Sequence, residues 1–218
     1  MDEKFSPRLK VCGVTRLEDA TGLVARNVPY IGVIVEVEGT PRSVERSKAL
    51  AIAACAPKRT VFVLSNPDAA LVRVLLESAP VALQFHGREE PEFLVELRAL
   101  LPKRTEIWKA LPVVPETVPE RYAEVVDRFV LERPKTVSRA GPFPFALTLA
   151  LMKRASRPAL VAGCLGPKNV FEVVRCLRPY GVDMASGVEE APGIKDMQAI
   201  DEVLVALSAQ KVLFVGHS

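Results

Sequence analysis

Amides are scarce in this chain: three Asn and three Gln among 218 residues, beside 18 Pro. Few thermolabile amides and many loop-stiffening prolines point to a thermophilic source. Aromatic residues make up 6 %, with a single Trp. No basic stripe is interleaved with them, which argues against a nucleic-acid partner. Histidine occurs twice, at His86 and His217, and none of the four cysteines (Cys12, Cys55, Cys164, Cys176) stands in a CxxC pair. A zinc site has no ligand set to draw on, and the expectation is no metal. No apolar stretch approaches the ~20 residues of a membrane span, and the first seven residues, Met1 to Pro7, lack the apolar core of a signal peptide. A cytoplasmic protein with reduced thiols is expected, with no membrane partner. Neither sign of charge dominates: 29 basic and 26 acidic residues are interspersed, for a net +3.

What the chain does have is a repeated alternation. Eight short apolar runs, at 9–12, 30–35, 60–64, 81–84, 106–111, 128–132, 158–162 and 182–185, are nearly continuous, as in strands of a parallel sheet covered on both faces. Each is followed by a segment with helical spacing, among them 16–26, 43–54, 91–101, 143–155, 167–177 and 195–209. Pro67 and Pro91 stand near helix starts, where a missing N–H costs nothing. Strand–helix units in this number form either an open doubly wound sheet or a closed barrel. The even spacing and the count of eight predict an α/β fold, a single-domain (βα)8 TIM barrel over residues 1–218. The tail 211–218, apolar in Val212, Leu213, Phe214 and Val215, is expected to cover the barrel's floor or an oligomer surface. Sequence leaves the choice between monomer and homodimer open.

In such barrels the active site forms at the C-terminal strand ends. The polar residues there are Cys12, Arg42 in the loop after the second run, Gln84 and His86, Lys109, Glu132 and Asp183. Packing alone does not require so many titratable groups on one rim. The last two runs lead into Ala162-Gly-Cys-Leu-Gly-Pro167 and Asp183-Met-Ala-Ser-Gly-Val188, whose small residues let backbone N–H groups approach an anion. Each residue also has a plainer reading. Cys12 is a small buried hydrophobe in that reading, Arg42 a solvated loop charge, and Glu132 a rim salt bridge with Arg133 or Lys109. His86 and Gln84 then satisfy loop backbone, and Lys109 neutralises an interior carboxylate.

Four segments carry a resemblance: Lys10-Val-Cys-Gly-Val-Thr15, Ala82-Leu-Gln-Phe-His-Gly87, Trp108-Lys-Ala110 and Val182-Asp-Met-Ala-Ser-Gly-Val-Glu189. With the later Pro192-Gly-Ile-Lys-Asp196, they resemble the phosphoribosylanthranilate isomerase family of tryptophan biosynthesis, in order from about Leu9 to Leu207. The resemblance implies a (βα)8 barrel and an Amadori rearrangement of a phosphosugar–anthranilate substrate, without metal or organic cofactor. It implies Cys12 as general base and Arg42 as receiver of the anthranilate carboxylate. His86 and Asp183 become substrate contacts, and Gly163, Cys164, Ser186 and Gly187 the phosphate-binding turns; Gln84, on the same rim, is expected to orient the ligand if it does not satisfy loop backbone.

The chain departs from that family in three places. The family's general acid is an Asp ending strand six, where Phe129-Val-Leu-Glu-Arg133 offers Glu132. The extra methylene moves the carboxyl by over ~1 Å, enough to cost ~100-fold unless the surroundings compensate. The glycine-rich loop after strand six reads Pro134-Lys-Thr-Val-Ser-Arg-Ala-Gly-Pro142, with Arg139 in it. A paired glycine reads Gly163-Cys164, and a Ser-Ser reads Ala185-Ser186. Two alternatives stand beside the resemblance: another phosphosugar isomerase on the same barrel, and a phosphosugar-binding protein that has lost turnover.

Overall fold

The computed structural model describes residues 7–134 and 142–213. Eight parallel strands close on themselves: β1 (Arg8–Val11), β2 (Tyr30–Val35), β3 (Thr60–Leu64), β4 (Ala82–Phe85), β5 (Glu106–Pro112), β6 (Arg128–Glu132), β7 (Ala159–Ala162) and β8 (Gly181–Met184). Each pairs with the next, and β8 returns to β1 with Lys10 opposite Asp183. The predicted closure is therefore what forms, and the strand boundaries move by one residue at β1, β4, β5, β7 and β8.

Among the described residues seven α-helices surround the strands: α1 (Leu17–Ala25), α2 (Arg46–Cys55), α3 (Ala69–Leu76), α4 (Pro91–Leu100), α5 (Phe145–Ala155), α6 (Val170–Leu177) and α7 (Met197–Leu213). The expectation of a helix after every strand fails once. Between β5 and β6 there is only a 3-10 turn, Pro119–Tyr122. Pro115 and Pro119 remove two backbone donors within five residues, and too few residues remain for a stable α-helix. Helix starts also shift at α1, α2, α5, α6 and α7, by three residues at α2 and α6. Ser43–Val44 pairs with Ile34 and Val35 as a short parallel extension, so α2 begins at Arg46. Lys195 pairs with Glu189 in a small antiparallel ribbon ahead of α7. Asp68 caps α3, its side chain accepting from the Leu71 N–H. None of the described helices is long and apolar enough to cross a membrane.

Side chains alternate across each strand, so one set faces the barrel axis and the other the helices. The outward set (Phe62, Leu83, Ile107, Phe129, Val161, Val182) packs against Leu23, Ile52, Leu75, Leu94, Leu151, Val174 and Ile200 of the helices. The inward set contains Val61, Ala82, Trp108, Ala110, Val130, Leu160 and Ala162. Polar side chains close the floor, at the N-terminal strand ends. Arg128 donates to both oxygens of Glu106 at 2.8 Å, and Trp108 Nε1 donates to the same carboxylate. The Tyr30 and Tyr180 hydroxyls lie 2.6 Å apart, and Arg128 stacks 4.0 Å above the Tyr180 ring. Trp108, fully buried with Tyr30 edge-on to it, fills the axis above them.

Candidate active site

Cys12 follows directly on β1, and its backbone N–H donates to the Met184 carbonyl, which fixes it at the mouth beside β8. Lys10, two residues earlier, faces the same way along the strand. Gly32 on β2 makes room for both: a Cβ there would come 2.9 Å from Cys12 Sγ and 3.0 Å from Lys10 Nζ. The thiol and the ammonium thus share the hollow left by one missing side chain. Lys10 is fully buried and donates to Asp183 Oδ2 at 2.9 Å. The other Asp183 oxygen, Oδ1, is buried without a hydrogen-bond partner, as is Gln84 Oε1 on β4.

These groups perturb one another. Burial pushes the Cys12 thiol above its ordinary value; Lys10 and Lys195 pull it back and the Asp183 charge adds to the rise. At Lys10 burial works against the charge, but Asp183 and Cys12 more than offset it, so its pKa is raised and it stays an ammonium. In an isolated ion pair the carboxyl would fall, yet at Asp183 it rises. Burial is the first cause and the nearby Glu132 a further one, acting against Lys10 and His86. Lys10 keeps its charge, and the rise at Asp183 follows from burying a carboxylate with only one of its oxygens paired.

Glu132 closes β6, and its Oε2 lies 2.8 Å from His86 Nε2 at the end of β4. Both line a cavity of about 380 Å³ with Gly87, Lys109, Ala110, Leu111, Pro112, Tyr122 and Pro134. Among the described residues the ion pair of Glu132 is with His86, where the expectation had Arg133 or Lys109. Lys109 instead points outward from β5 and pairs with Glu89 at 2.8 Å, both side chains being 2 % exposed. Glu89 also accepts from the Asn66 and Gly87 backbone N–H groups, which ties the loops after β3 and β4 together. The neutralising reading of Lys109 is the one its geometry supports.

Arg42 reaches the mouth from the loop after β2. Its alkyl chain lies across Gly13, where φ is +72° and a Cβ would stand 2.7 Å from Arg42 Cδ. Its Nε and Nη2 donate to Glu189, at 3.0 and 2.6 Å. That bond raises the Arg42 pKa; burial works against the Glu189 carboxylate, but Arg42 and Lys195 hold it below the usual range. The buried Lys195 donates to Glu189 Oε1 and to the Cys12 carbonyl, both at 2.6 Å. Burial depresses its pKa.

The turns after β7 and β8 touch, Gly166 resting against the Gly187 carbonyl. Asn169 holds the first turn, accepting from the Gly166 N–H and donating to the Cys164 carbonyl. Cys164 is exposed and left-handed, with φ +54°. Ser186 and Gly187 lie in a 3-10 turn, Ser186–Val188. Cys55 and Cys176 lie away from these strand ends, in α2 and α6. Arg139, His217 and tail residues 214–218 fall outside the described residues. Among the described residues no group of three or more His, Cys, Asp or Glu is placed to hold a metal ion.

Comparison with known proteins bears on this arrangement. The profile of the family described as N-(5'phosphoribosyl)anthranilate (PRA) isomerase matches residues 9–206. An N-(5'-phosphoribosyl)anthranilate isomerase of Methanopyrus kandleri is 34 % identical over 220 residues, covering 91 % of this chain and 97 % of that protein. The chain belongs to the N-(5'-phosphoribosyl)anthranilate isomerase family. It is accordingly an isomerase of tryptophan biosynthesis. The tryptophan biosynthesis protein TrpCF of Yersinia pestis is 39 % identical over 199 residues, and the chain, matched over 91 % of its own length, spans 40 % of that longer protein. A crystal structure of phosphoribosyl anthranilate isomerase in complex with reduced 1-(o-carboxyphenylamino)-1-deoxyribulose 5-phosphate superposes with a TM-score of 0.79 at 26 % identity, covering 93 % of this chain and 99 % of that one.

Four residues at the mouth of this isomerase have roles that strand-end inspection does not assign: Lys10, Glu189, Lys195 and Glu89. Lys10 sits one layer below the rim, and Glu189 and Lys195 lie beyond the last strand. The inward alternation shared by Lys10 and Cys12 is the sequence signal that places this cation beside the thiol.

Proposed function

We propose that Cys12 and Glu132 carry out the Amadori rearrangement of N-(5-phosphoribosyl)anthranilate to the 1-deoxyribulose 5-phosphate. The observation that supports this reading is strand register: Glu132 stands opposite Ala162, Ala162 opposite Asp183, and Asp183 opposite Lys10, two residues before Cys12. Side-chain alternation turns Glu132, Asp183, Lys10 and Cys12 to the same inward face of the barrel. Glu132, 25 % exposed at its side chain and lining the cavity, is reachable by a sugar ring oxygen. In its protonated form it gives its proton to that oxygen, the C1–O bond breaks, and an iminium forms between C1 and the anthranilate nitrogen. Cys12, as thiolate, takes the proton from C2 and the iminium becomes an enolamine. Transfer of the enol proton to C1 yields the ketone. Solvent returns a proton to Glu132, while Cys12, which gave its own proton to solvent after ring opening and took one from C2, is again the thiol.

The raised thiol pKa fits this sequence. The resting thiol is protonated, and the cationic iminium beside it, with Lys10, favours the thiolate once ring opening has occurred. His86 holds Glu132 at 2.8 Å and steers the longer glutamate towards the cavity, which offsets the methylene that distinguishes it from aspartate. Asp183 Oδ1 and Gln84 Oε1 are acceptors awaiting donors, which sugar hydroxyls supply. Arg42 receives the anthranilate carboxylate, and Gly163, Cys164, Ser186 and Gly187 hold the phosphate. The chain acts as one barrel on this small molecule. The test follows the fluorescence of phosphoribosylanthranilate: purified protein consumes it, Cys12→Ser does not, and Glu132→Ala does so far more slowly. Tight binding of a reduced product analogue with no turnover by the native chain would overturn the reading.

A further inference from the structure

A guanidinium has two edges that can each grip a carboxylate with parallel N–H bonds. One is formed by Nε and Nη2, the other by Nη1 and Nη2. In Arg42 the first edge is taken. Nε donates to Glu189 Oε1 and Oε2 at 3.0 Å, and Nη2 donates to Oε2 at 2.6 Å. Glu189 is the buried member of the pair, 3 % exposed at its side chain against 21 % for Arg42. A solute therefore meets the arginine and not the glutamate.

Glu189 is itself fixed from the other side. Lys195, with a side chain of 0 % exposure, bridges Glu189 Oε1 and the Cys12 carbonyl, each at 2.6 Å. The Gly193 N–H also donates to Glu189. A continuous chain of bonds thus runs from the backbone of the thiol-bearing residue through Lys195 and Glu189 to Arg42. The Arg42 alkyl stem lies against Gly13, the residue after Cys12. A charge this firmly paired would be a poor receptor if its partner used both edges, but Glu189 uses one.

We infer that Glu189 is a positioning residue for substrate recognition: it clamps the Nε edge of Arg42 so that the Nη1 edge is presented to the aromatic carboxylate at a fixed distance from Cys12. This rests on the proposed role of Arg42. Its consequence is that the preference for a carboxylated aromatic amine depends on a residue that never touches the substrate. Without the clamp, Arg42 keeps its charge but loses its orientation, and oriented bidentate contact is what separates arginine from a point charge.

The experiment compares kcat/KM for two substrates, the phosphoribosyl adduct of anthranilate and that of aniline, which lacks the carboxylate. In the native protein the carboxylated substrate is expected to be favoured ~10–100-fold, the range of a charge-assisted bidentate contact. Arg42→Met abolishes that preference. Glu189→Gln lowers it ~10-fold, chiefly through KM for the anthranilate substrate, and Glu189→Asp restores part of it. The ratio decides, because disturbing Lys195 affects both substrates alike. If Glu189→Gln slows both substrates equally, or leaves the ratio at its native value while Arg42→Met abolishes it, the clamp is wrong and the carboxylate receptor stands. If Arg42→Met itself keeps the native ratio, the receptor reading falls and the clamp with it. Should Glu189→Gln fail to fold, the ratio for Glu189→Asp answers the same question.

Discussion

The two ends of the barrel bury comparable chemistry in different states of completion. On the floor, Glu106 receives Arg128 and Trp108, Tyr30 meets Tyr180, and Arg128 lies on the Tyr180 ring. At the mouth, Asp183 has Lys10 on one oxygen and nothing on the other, and Gln84 offers a buried carbonyl with no donor. An unpaired buried acceptor costs ~1–3 kcal/mol. The floor contains no such acceptor among the described residues, and the mouth contains two. Saturated polar groups close the fold, whereas unsaturated ones store free energy that a ligand releases on binding.

The comparison breaks most visibly at Cys12. Cys12→Ser is expected to lower kcat by ~10³–10⁴, the upper range for a positioned base. Its unfolding free energy should change by under ~1 kcal/mol, read by denaturant titration. A stability loss comparable to the activity loss would mean the thiol is a packing residue after all. Glu132→Gln should cost ~10²–10³ in kcat, since it keeps the contact with His86 but has no proton to give. Glu132→Asp sharpens the point: if His86 holds the carboxyl at the distance the ring oxygen needs, the shorter side chain is slower here, although aspartate is the residue the family's pattern carries.

The floor should respond the opposite way. Arg128→Met removes the partner of Glu106 and the cap on Tyr180. Because both charged side chains keep some exposure, 18 % and 28 %, the loss is expected at ~1–3 kcal/mol of stability. The kcat/KM near neutral pH should stay within about twofold, which steady-state kinetics on the folded fraction would check. A large kinetic effect with unchanged stability would show that the floor communicates with the site.

Legibility in the sequence divides along similar lines. The strands were legible because continuous apolar runs are what a doubly covered strand requires, and the one absent helix lay where Pro115 and Pro119 fall close together. The placement of Cys12 and Glu132 at strand ends was legible from the apolar runs that lead into them. The partners were not. Nothing in the local pattern around Glu189 says that it grips Arg42, 147 residues away. Nor does Lys109 announce that it faces the helix side, since its position in β5 is set by register with Phe85 and Phe129. Long-range ion pairs depend on closure of the barrel, and a one-residue change of register would send each side chain to the other face.

The smallest expected effect concerns the state of the thiol before substrate arrives. Burial raises the Cys12 pKa while Lys10 and Lys195 oppose the rise. The thiolate is the species that alkylates, so a raised pKa means a smaller reactive fraction at any pH below it. Alkylation by iodoacetamide, followed by peptide mass mapping, separates Cys12 from the exposed Cys164 and Cys176. The Cys12 rate is expected to climb ~tenfold per pH unit and to level off at higher pH than a free thiol in the same buffer, with a several-fold slower rate near pH 7. Lys10→Met removes a cation that favours the thiolate, so its profile should move further to the alkaline side. If native Cys12 levels off below the free thiol, Lys10 outweighs burial and the mouth is electrostatically armed in the absence of ligand. The contrast with the floor would then lie in charge placement and not in incomplete pairing.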